Sequence, residues 1–348
     1  MTSPATSRKF TIGIDLGGTS VRLGLYDTAA MQTTLLPIDS QSYRTRVEDG
    51  PAAVIADMAE SVQTMVAGLP AGSSCSGIGI GSPGPLNLQL GTLGKLPNFP
   101  GWDYFPLRDS LAEATGLPVF LECDANAAAV AEWKLGAGRA AMLDSLAMFT
   151  LGTGVGGGII LNGQVWHGIV GMGGELGHVS LDRNGPPCGC GARGCLEQYA
   201  SANGLLRIAR EHASRGDASS GLKALTSKLG GFTPREVATL AESGDTPALQ
   251  CFEELGFYLG FGIASLINTL DLPLIVVGGG VASAWNLFSP KMFESVREYS
   301  YVYRLGEPTQ RETMEKDRTF IRPAALGPAA GLLGAALLPQ LSQPEHQS

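Results

Sequence analysis

A chain of 348 residues is longer than one hydrophobic core usually supports and implies two domains of about 150 residues each. Its hydrophobic share of 44% is that of a soluble globular protein, and its formal charge of −8 excludes a broad nucleic-acid surface, which needs clustered Lys and Arg against the phosphates. Glycine is abundant, at 48 residues about twice the ordinary share, and it is clustered, so the glycine clusters are where phosphate-binding loops belong.

In chain order, residues 1–9 are polar and lack the basic stretch, apolar core and cleavage site of a secretory signal. A cytoplasmic location is expected, with Cys75, Cys123 and Cys251 as free thiols. Residues 10–14 and 21–26 read as strands joined by Asp15-Leu16-Gly17-Gly18-Thr19-Ser20, a glycine-rich hairpin with a carboxylate at its bend. Val54, Ile55, Met58, Val62, Met65 and Val66 give residues 51–69 helical spacing. A strand at 75–80 runs into a proline-stiffened loop at 81–85, and a second loop spans 96–102. Residues 107–115 read as a helix closed by Gly116, 119–122 as a strand, and 127–135 as an alanine-rich helix starting just after Asp124.

The second half repeats this outline, with a strand at 145–151, a glycine turn at 152–158 and a strand at 159–161. Residues 201–244 read as helical with a break at 217–221, 252–270 as a long apolar helix, and 274–277 as a buried strand. Gly278-Gly279-Gly280 is a tight bend before a further helix, and the last helix spans 329–338. The apolar runs 255–270 and 324–338 fall short of the roughly 20 residues that span a bilayer, so buried helices and no membrane partner are expected. Glycine-bent hairpins followed by strand and helix alternation predict two α/β domains with a cleft between them.

Three motifs carry chemistry. Cys188, Cys190 and Cys195 fall within eight residues of each other, ten residues beyond His178. Thiolates and imidazole are the ligands of a tetrahedral structural zinc, and three sulfurs with one nitrogen close its shell. Free core thiols or a disulfide are the bland alternatives, and a disulfide leaves one of the three unpaired. Glu175 and Glu197 bracket the cluster, and two carboxylates so fixed suggest a polyhydroxylated ligand. Gly152-Thr153-Gly154-Val155-Gly156-Gly157 matches the dinucleotide fingerprint in form, but a strand follows it where that fingerprint needs a helix. A turn whose N–H groups cup phosphate is the better reading. Asp124 is either a helix cap or a base that accepts a hydroxyl proton during phosphoryl transfer, and Asp15 is placed to organise Mg²⁺.

With these residues the chain resembles the ROK family of repressors and sugar kinases, in the superfamily of hexokinase, actin and Hsp70-type ATPases, from Ile12 to about Leu338. The resemblance implies two ribonuclease H-like (actin-like ATPase) α/β domains that close over sugar and nucleotide. One is expected at 10–122 with a C-terminal helix at about 325–338, the other at 123–324, with 1–9 and 339–348 as tails. It implies that Asp15, Gly17, Gly18 and Thr19 form a first phosphate turn, that Gly152, Thr153, Gly154 and Gly156 form a second, and that Gly278, Gly279 and Gly280 lie on the adenosine side. It makes Asp124 the catalytic base, Glu175, His178, Glu197 and Asn98 sugar contacts, and His178, Cys188, Cys190 and Cys195 zinc ligands. Where the family usually has Asn before the catalytic Asp, this chain has Cys123, which then faces the sugar.

The activity so implied is ATP-dependent phosphorylation of a hexose at its primary hydroxyl, glucose first, with N-acetylmannosamine and fructose as rivals. Structural Zn²⁺ and Mg²⁺ with ATP are the expected cofactors, and a homodimer or higher homo-oligomer the expected assembly. A sugar-responsive repressor of the same family is the other class. Its DNA-binding helices would precede the first strand, where nine residues stand before Phe10, so an enzyme is expected.

Overall fold

The computed structural model describes residues 8–96, 99–139, 142–215, 218–309, 314–315 and 317–341. It divides into two compact units, one formed by Met1–Gly136, Val165–Gly173 and Pro328–Ser348, the other by Ala137–Gln164 and Gly174–Gly327. Unit 1 contains β1 (Lys9–Leu16), β2 (Ser20–Asp27), β3 (Asp39–Arg44), α1 (Pro51–Ala67), β4 (Ser74–Ser82), β5 (Leu86–Asn87), β6 (Thr92–Leu93), α2 (Leu107–Thr115), β7 (Val119–Cys123) and α3 (Asp124–Lys134). Unit 2 follows with β8 (Leu146–Leu151), β9 (Val155–Leu161), β10 (Gln164–Val165, at whose second residue the chain passes to unit 1), α4 (Glu197–Ala200), α5 (Ala202–Ser214), α6 (Ser220–Thr226), α7 (Pro234–Glu242) and α8 (Thr246–Leu270). It ends with β11 (Leu274–Gly278), α9 (Trp285–Tyr299), α10 (Tyr301–Leu305) and β12 (Phe320–Pro323), after which α11 (Ala330–Leu341) belongs to unit 1.

Each unit is built on a five-stranded sheet of the same design. The orders are β3-β2-β1-β4-β7 and β10-β9-β8-β11-β12. In each, the first two strands form an antiparallel hairpin, and the first strand then pairs in parallel with the next, as β1 with β4 and β8 with β11. Parallel strands covered on both faces read as unbroken apolar runs. Leu146–Leu151 and Leu274–Gly278 do so and are buried almost throughout, whereas the edge strand Asp39–Arg44 is polar and largely exposed. Each sheet has its own core, centred on Ile12, Ile14, Leu23 and Ile80 in unit 1 and on Phe149, Leu255, Ile263 and Val277 in unit 2. This is the expected two-domain α/β fold. Among the described residues no helix is long and apolar enough to cross a membrane.

Local differences from the sequence reading have physical causes. α3 begins at Asp124, three residues ahead of the predicted start at 127, because Cys123 in extended conformation is the residue that precedes the first turn. β9 begins at Val155, so the glycine turn is shorter than 152–158 and Gly156 to Gly158 pair within the sheet against Thr150, Phe149 and Met148. The helical stretch 201–244 resolves into α5, α6 and α7. Ser201, Ser219 and Thr233 each cap a helix start with a side-chain oxygen, and Thr233 with Glu236 forms a reciprocal capping box. Polar β3 and four-residue β12 lack the apolar alternation that marks a strand and were not anticipated.

Candidate functional site

In unit 1 the β1–β2 turn is closed by Gly17 N–H donating to Ser20 O at 3.0 Å. Thr45 braces it, its hydroxyl donating to Gly17 O at 2.6 Å and its N–H to Thr19 O at 3.0 Å. Asp15 lies just before the turn, with its carboxylate oxygen Oδ2 held by Arg22 through Nε at 3.1 Å and through Nη2. Arg22 Nη1 also donates to Pro328 O at 3.2 Å, which ties the turn to the approach to α11. Thr19 is exposed and Gly17 and Gly18 are half-buried, so the turn faces solvent.

The β7–α3 junction, also in unit 1, holds Asp124 at the first position of α3. A helix N-terminus favours negative charge. Asp124 Oδ1 accepts from Ala125 N–H at 2.7 Å and lies 3.5 Å from the Cys123 thiol, which donates to it. Cys123 therefore touches the carboxylate next to it. The residue before it, Glu122, is buried and accepts from Cys123 N–H at 2.9 Å and from Asn126 Nδ2 at 3.0 Å. In the sequence Glu122 reads as a strand end and His167 carries no motif, yet His167 Nε2 is 2.6 Å from Glu122 Oε2. No local spacing signals a pair 45 residues apart; an acidic residue at the end of an otherwise apolar strand was the one available hint. Asn98, the remaining sugar contact expected in this half, lies outside the described residues.

In unit 2, His178, Cys188, Cys190 and Cys195 bring their ligand atoms within 4.8 Å of one another. Cys190 Sγ and Cys195 Sγ are 3.7 Å apart, and His178 Nδ1 is 3.6 Å from Cys188 Sγ. A tetrahedron with zinc–sulfur bonds of about 2.3 Å has sulfur–sulfur edges of about 3.75 Å, so the donors fit that ion. Backbone bonds preset the loop, with Cys188 N–H to Ala192 O at 2.8 Å, Leu181 N–H to Gly194 O at 2.8 Å and Leu196 N–H to Val179 O at 2.9 Å. Burial, reinforced by Cys190 and Cys188, pushes the Cys195 thiol up to about 12, while hydrogen bonds, first from the Ala192 backbone, pull Cys190 down. Thiols so crowded resist ionising together unless a cation joins them.

The imidazole of His178 turns Nδ1 to the thiols and Nε2 toward Glu175, whose Oε2 is 4.0 Å away. Burial holds the Glu175 carboxyl above its usual range, opposed by His178 and reinforced by the charge of Glu197. Glu197 starts α4 and reaches in two directions. Its Oε2 accepts from Val155 N–H at 3.0 Å, and its Oε1 is 3.9 Å from the Cys188 thiol. Gly154 makes room for this, since a Cβ there would collide with the Glu197 carboxylate. The second glycine turn is closed by Gly152 N–H to Gly154 O at 2.9 Å and leaves Thr153 exposed.

The third glycine group follows β11. Gly279 has φ +89°, and a Cβ would strike the backbone of Leu151, so a side chain is barred on both counts. Gly280, Val281, Ser283 and Ala284 line a cavity of about 690 Å³ with α7 residues Arg235, Ala238, Thr239 and Glu242. Unit 2 thus gathers Glu175, His178, Glu197 and the Gly152–Gly154 turn through direct contacts, while Asp15 and Asp124 are both in unit 1.

The pattern of the ROK family matches residues 11–341. A glucokinase of Halalkalibacterium halodurans is 36% identical over 334 residues, covering 95% of each chain. The crystal structure of a ROK hexokinase from Thermus thermophilus superposes with a TM-score of 0.73 at 36% identity, covering 94% of this chain and 97% of that one. A ROK family glucokinase from Streptomyces griseus, solved in complex with glucose and AMPPNP, gives a TM-score of 0.73 at 32% identity, covering 95% and 99%.

Proposed function

The chain belongs to the ROK family, and on that footing we propose that it is an ATP-dependent hexose kinase that converts glucose to glucose 6-phosphate. The observation that carries the reading is the double reach of Glu197. One carboxylate joins the cysteine cluster, beside which stand Glu175 and His178, to the N–H of Val155, the residue that follows the Gly152–Gly154 turn. Hydroxyl-binding carboxylates held beside a glycine turn by one side chain suit transfer of a phosphoryl group to a sugar.

In this reading Glu175, His178 and Glu197 accept and donate hydrogen bonds to sugar hydroxyls and so orient the primary hydroxyl. Asp124 accepts that hydroxyl's proton as its oxygen attacks the γ-phosphorus and the bond to the ADP leaving group breaks. Asp15 to Thr19 and Gly152 to Gly154 hold the phosphates, and Gly278 to Gly280 with the adjoining cavity take the nucleoside. Asp15 would hold Mg²⁺, which when bound neutralises phosphate charge; both Arg22 bonds go to Oδ2, and Oδ1 takes part in neither. His178, Cys188, Cys190 and Cys195 would hold zinc, which when bound supplies rigidity to Glu175 and Glu197 and leaves no open position for chemistry. A reducing cytoplasm suits six cysteines of which none forms a disulfide.

The test is a coupled assay with glucose, mannose, fructose and N-acetylmannosamine against ATP, ADP and polyphosphate, run on the wild type and on Asp124→Asn. Glucose with ATP should give the highest kcat/KM. The Asn variant should lose several orders of magnitude in kcat with sugar affinity nearly intact, because the amide keeps the shape and cannot take the proton. A variant keeping more than about a tenth of the wild-type kcat, a loss under ~1.4 kcal/mol, removes Asp124 as the base. Preference for N-acetylmannosamine or fructose replaces glucose as the substrate.

A further inference from the structure

The segment Val165–Gly173 belongs to unit 1, although the chain on both sides of it belongs to unit 2. His167 in this segment binds Glu122, whose side chain is only 6% exposed. That carboxylate links the segment to the start of α3: Oε2 pairs with His167, and Oε1 takes Cys123 N–H and Asn126 Nδ2, the groups on either side of Asp124. A buried carboxylate stripped of its cation is strongly disfavoured and shifts or takes up a proton. The bond to Glu122 holds His167 above the ordinary imidazole range against the opposing effect of burial. Glu122 and His167 line a cavity of about 560 Å³ whose other charged group among the described residues is Arg108 of α2, engaged by Asp109 and by the carbonyls of Leu88, Gln89 and Leu90.

We propose that His167 is a positioning residue for phosphoryl transfer: through Glu122 it fixes the first turn of α3 and with it the carboxylate of Asp124. The inference rests on the proposed role of Asp124. A base displaced by even 1 Å costs on the order of 100-fold in rate. His167→Ala should therefore lower kcat by about 10- to 100-fold. The sugar KM should change by less than about threefold, since that substitution removes no proposed hydroxyl contact. His167→Gln keeps a neutral donor without the charge and should recover part of the loss, to about the kcat that the wild type keeps once His167 is neutral.

The pH dependence has a defined sign. His167 carries its charge below its raised value and loses it as pH rises through that value, so the wild-type kcat should decline on that alkaline side. His167→Gln carries no titrating group and should lack that decline. The experiment measures kcat and KM from about pH 6 to about pH 9 for wild type, His167→Ala, His167→Gln and Asp124→Asn, with thermal melts to verify folding. A reduced kcat in folded His167→Ala, rescue by Gln and loss of the alkaline decline support the proposal. A His167→Ala kcat within about twofold of wild type, an effect confined to KM, or an unchanged alkaline decline in the Gln variant overturns it. Full activity in Asp124→Asn overturns the assignment of the base instead, which separates the two failures.

Discussion

The two glycine hairpins, β1–β2 and β8–β9, share sheet position and strand direction, yet their anionic partners are organised differently. In the first, Asp15 comes from the hairpin itself and is neutralised by Arg22, seven residues away on the adjoining strand. In the second, the carboxylate is Glu197, 42 residues beyond the N–H it binds and next to the cysteine cluster. The same backbone topology thus serves a turn whose carboxylate is held by its own hairpin in one unit and a turn held by a carboxylate from beside the cysteine cluster in the other. Duplicated topology fixes where a turn stands, while side chains from elsewhere decide what it responds to.

Removing the metal is the harshest way to break that comparison. Purified protein should carry one zinc per chain by elemental analysis. Stripping it with a chelator should take hexose phosphorylation below detection, because Glu175, His178 and Glu197 lose their common support. Fully active protein that contains no zinc would end this reading. A milder break is Glu197→Gln, which should raise the KM of both glucose and ATP, each by about 10- to 100-fold, since hydrogen bonds to a charged group are worth about 1.5–3 kcal/mol. Gly17→Ala in the first turn, whose added Cβ would lie 3.1 Å from Ser20 O, should raise the KM of ATP alone. Steady-state kinetics with each substrate varied in turn checks both, and equal effects on both substrates from the Gly17 variant would erase the distinction.

Glu175→Gln sharpens the sugar side. The carboxylate is held above its usual range by burial, and in the proposed site it accepts from a hydroxyl. The amide should raise the glucose KM about tenfold and leave the ATP KM within about twofold. A matching change for ATP would mean that Glu175 acts through the phosphate turn instead.

What could be read beforehand follows contact range. The cluster of His178, Cys188, Cys190 and Cys195 was legible because its ligands are close in sequence and chemically unmistakable, and both hairpins were legible from glycine flanked by apolar strands. The Arg22–Asp15 bond, the Val155–Glu197 bond and the Glu122–His167 pair were not, because each depends on which side chains folding brings together. Gly156, expected in the phosphate turn, lies in β9 and pairs with Thr150 of β8, because the strand starts four residues before the expected 159, a difference that glycine's tolerance of either conformation conceals.

The smallest effect concerns Cys123, where the chain departs from the Asn usual in its family. A thiol is a weak donor and a weak acceptor, and here it donates to Asp124 Oδ1 at 3.5 Å. An amide in its place has two N–H donors and a carbonyl, enough to keep Asp124 bonded and still meet a sugar hydroxyl. One neutral hydrogen bond contributes about 0.5–1.5 kcal/mol, so Cys123→Asn should lower the glucose KM by about 2- to 10-fold with little change in kcat. Discrimination among hexose epimers should sharpen with it, because hydroxyl readout depends on such contacts. Measuring kcat/KM of both proteins for glucose, mannose, allose, fructose and N-acetylmannosamine separates three outcomes. A gain on glucose alone supports a missing hydroxyl contact, and a gain on glucose with a loss on another sugar identifies that sugar as the one Cys123 suits. An unchanged profile would confine the thiol to its bond with Asp124, where its replacement should show only in the pH dependence of kcat.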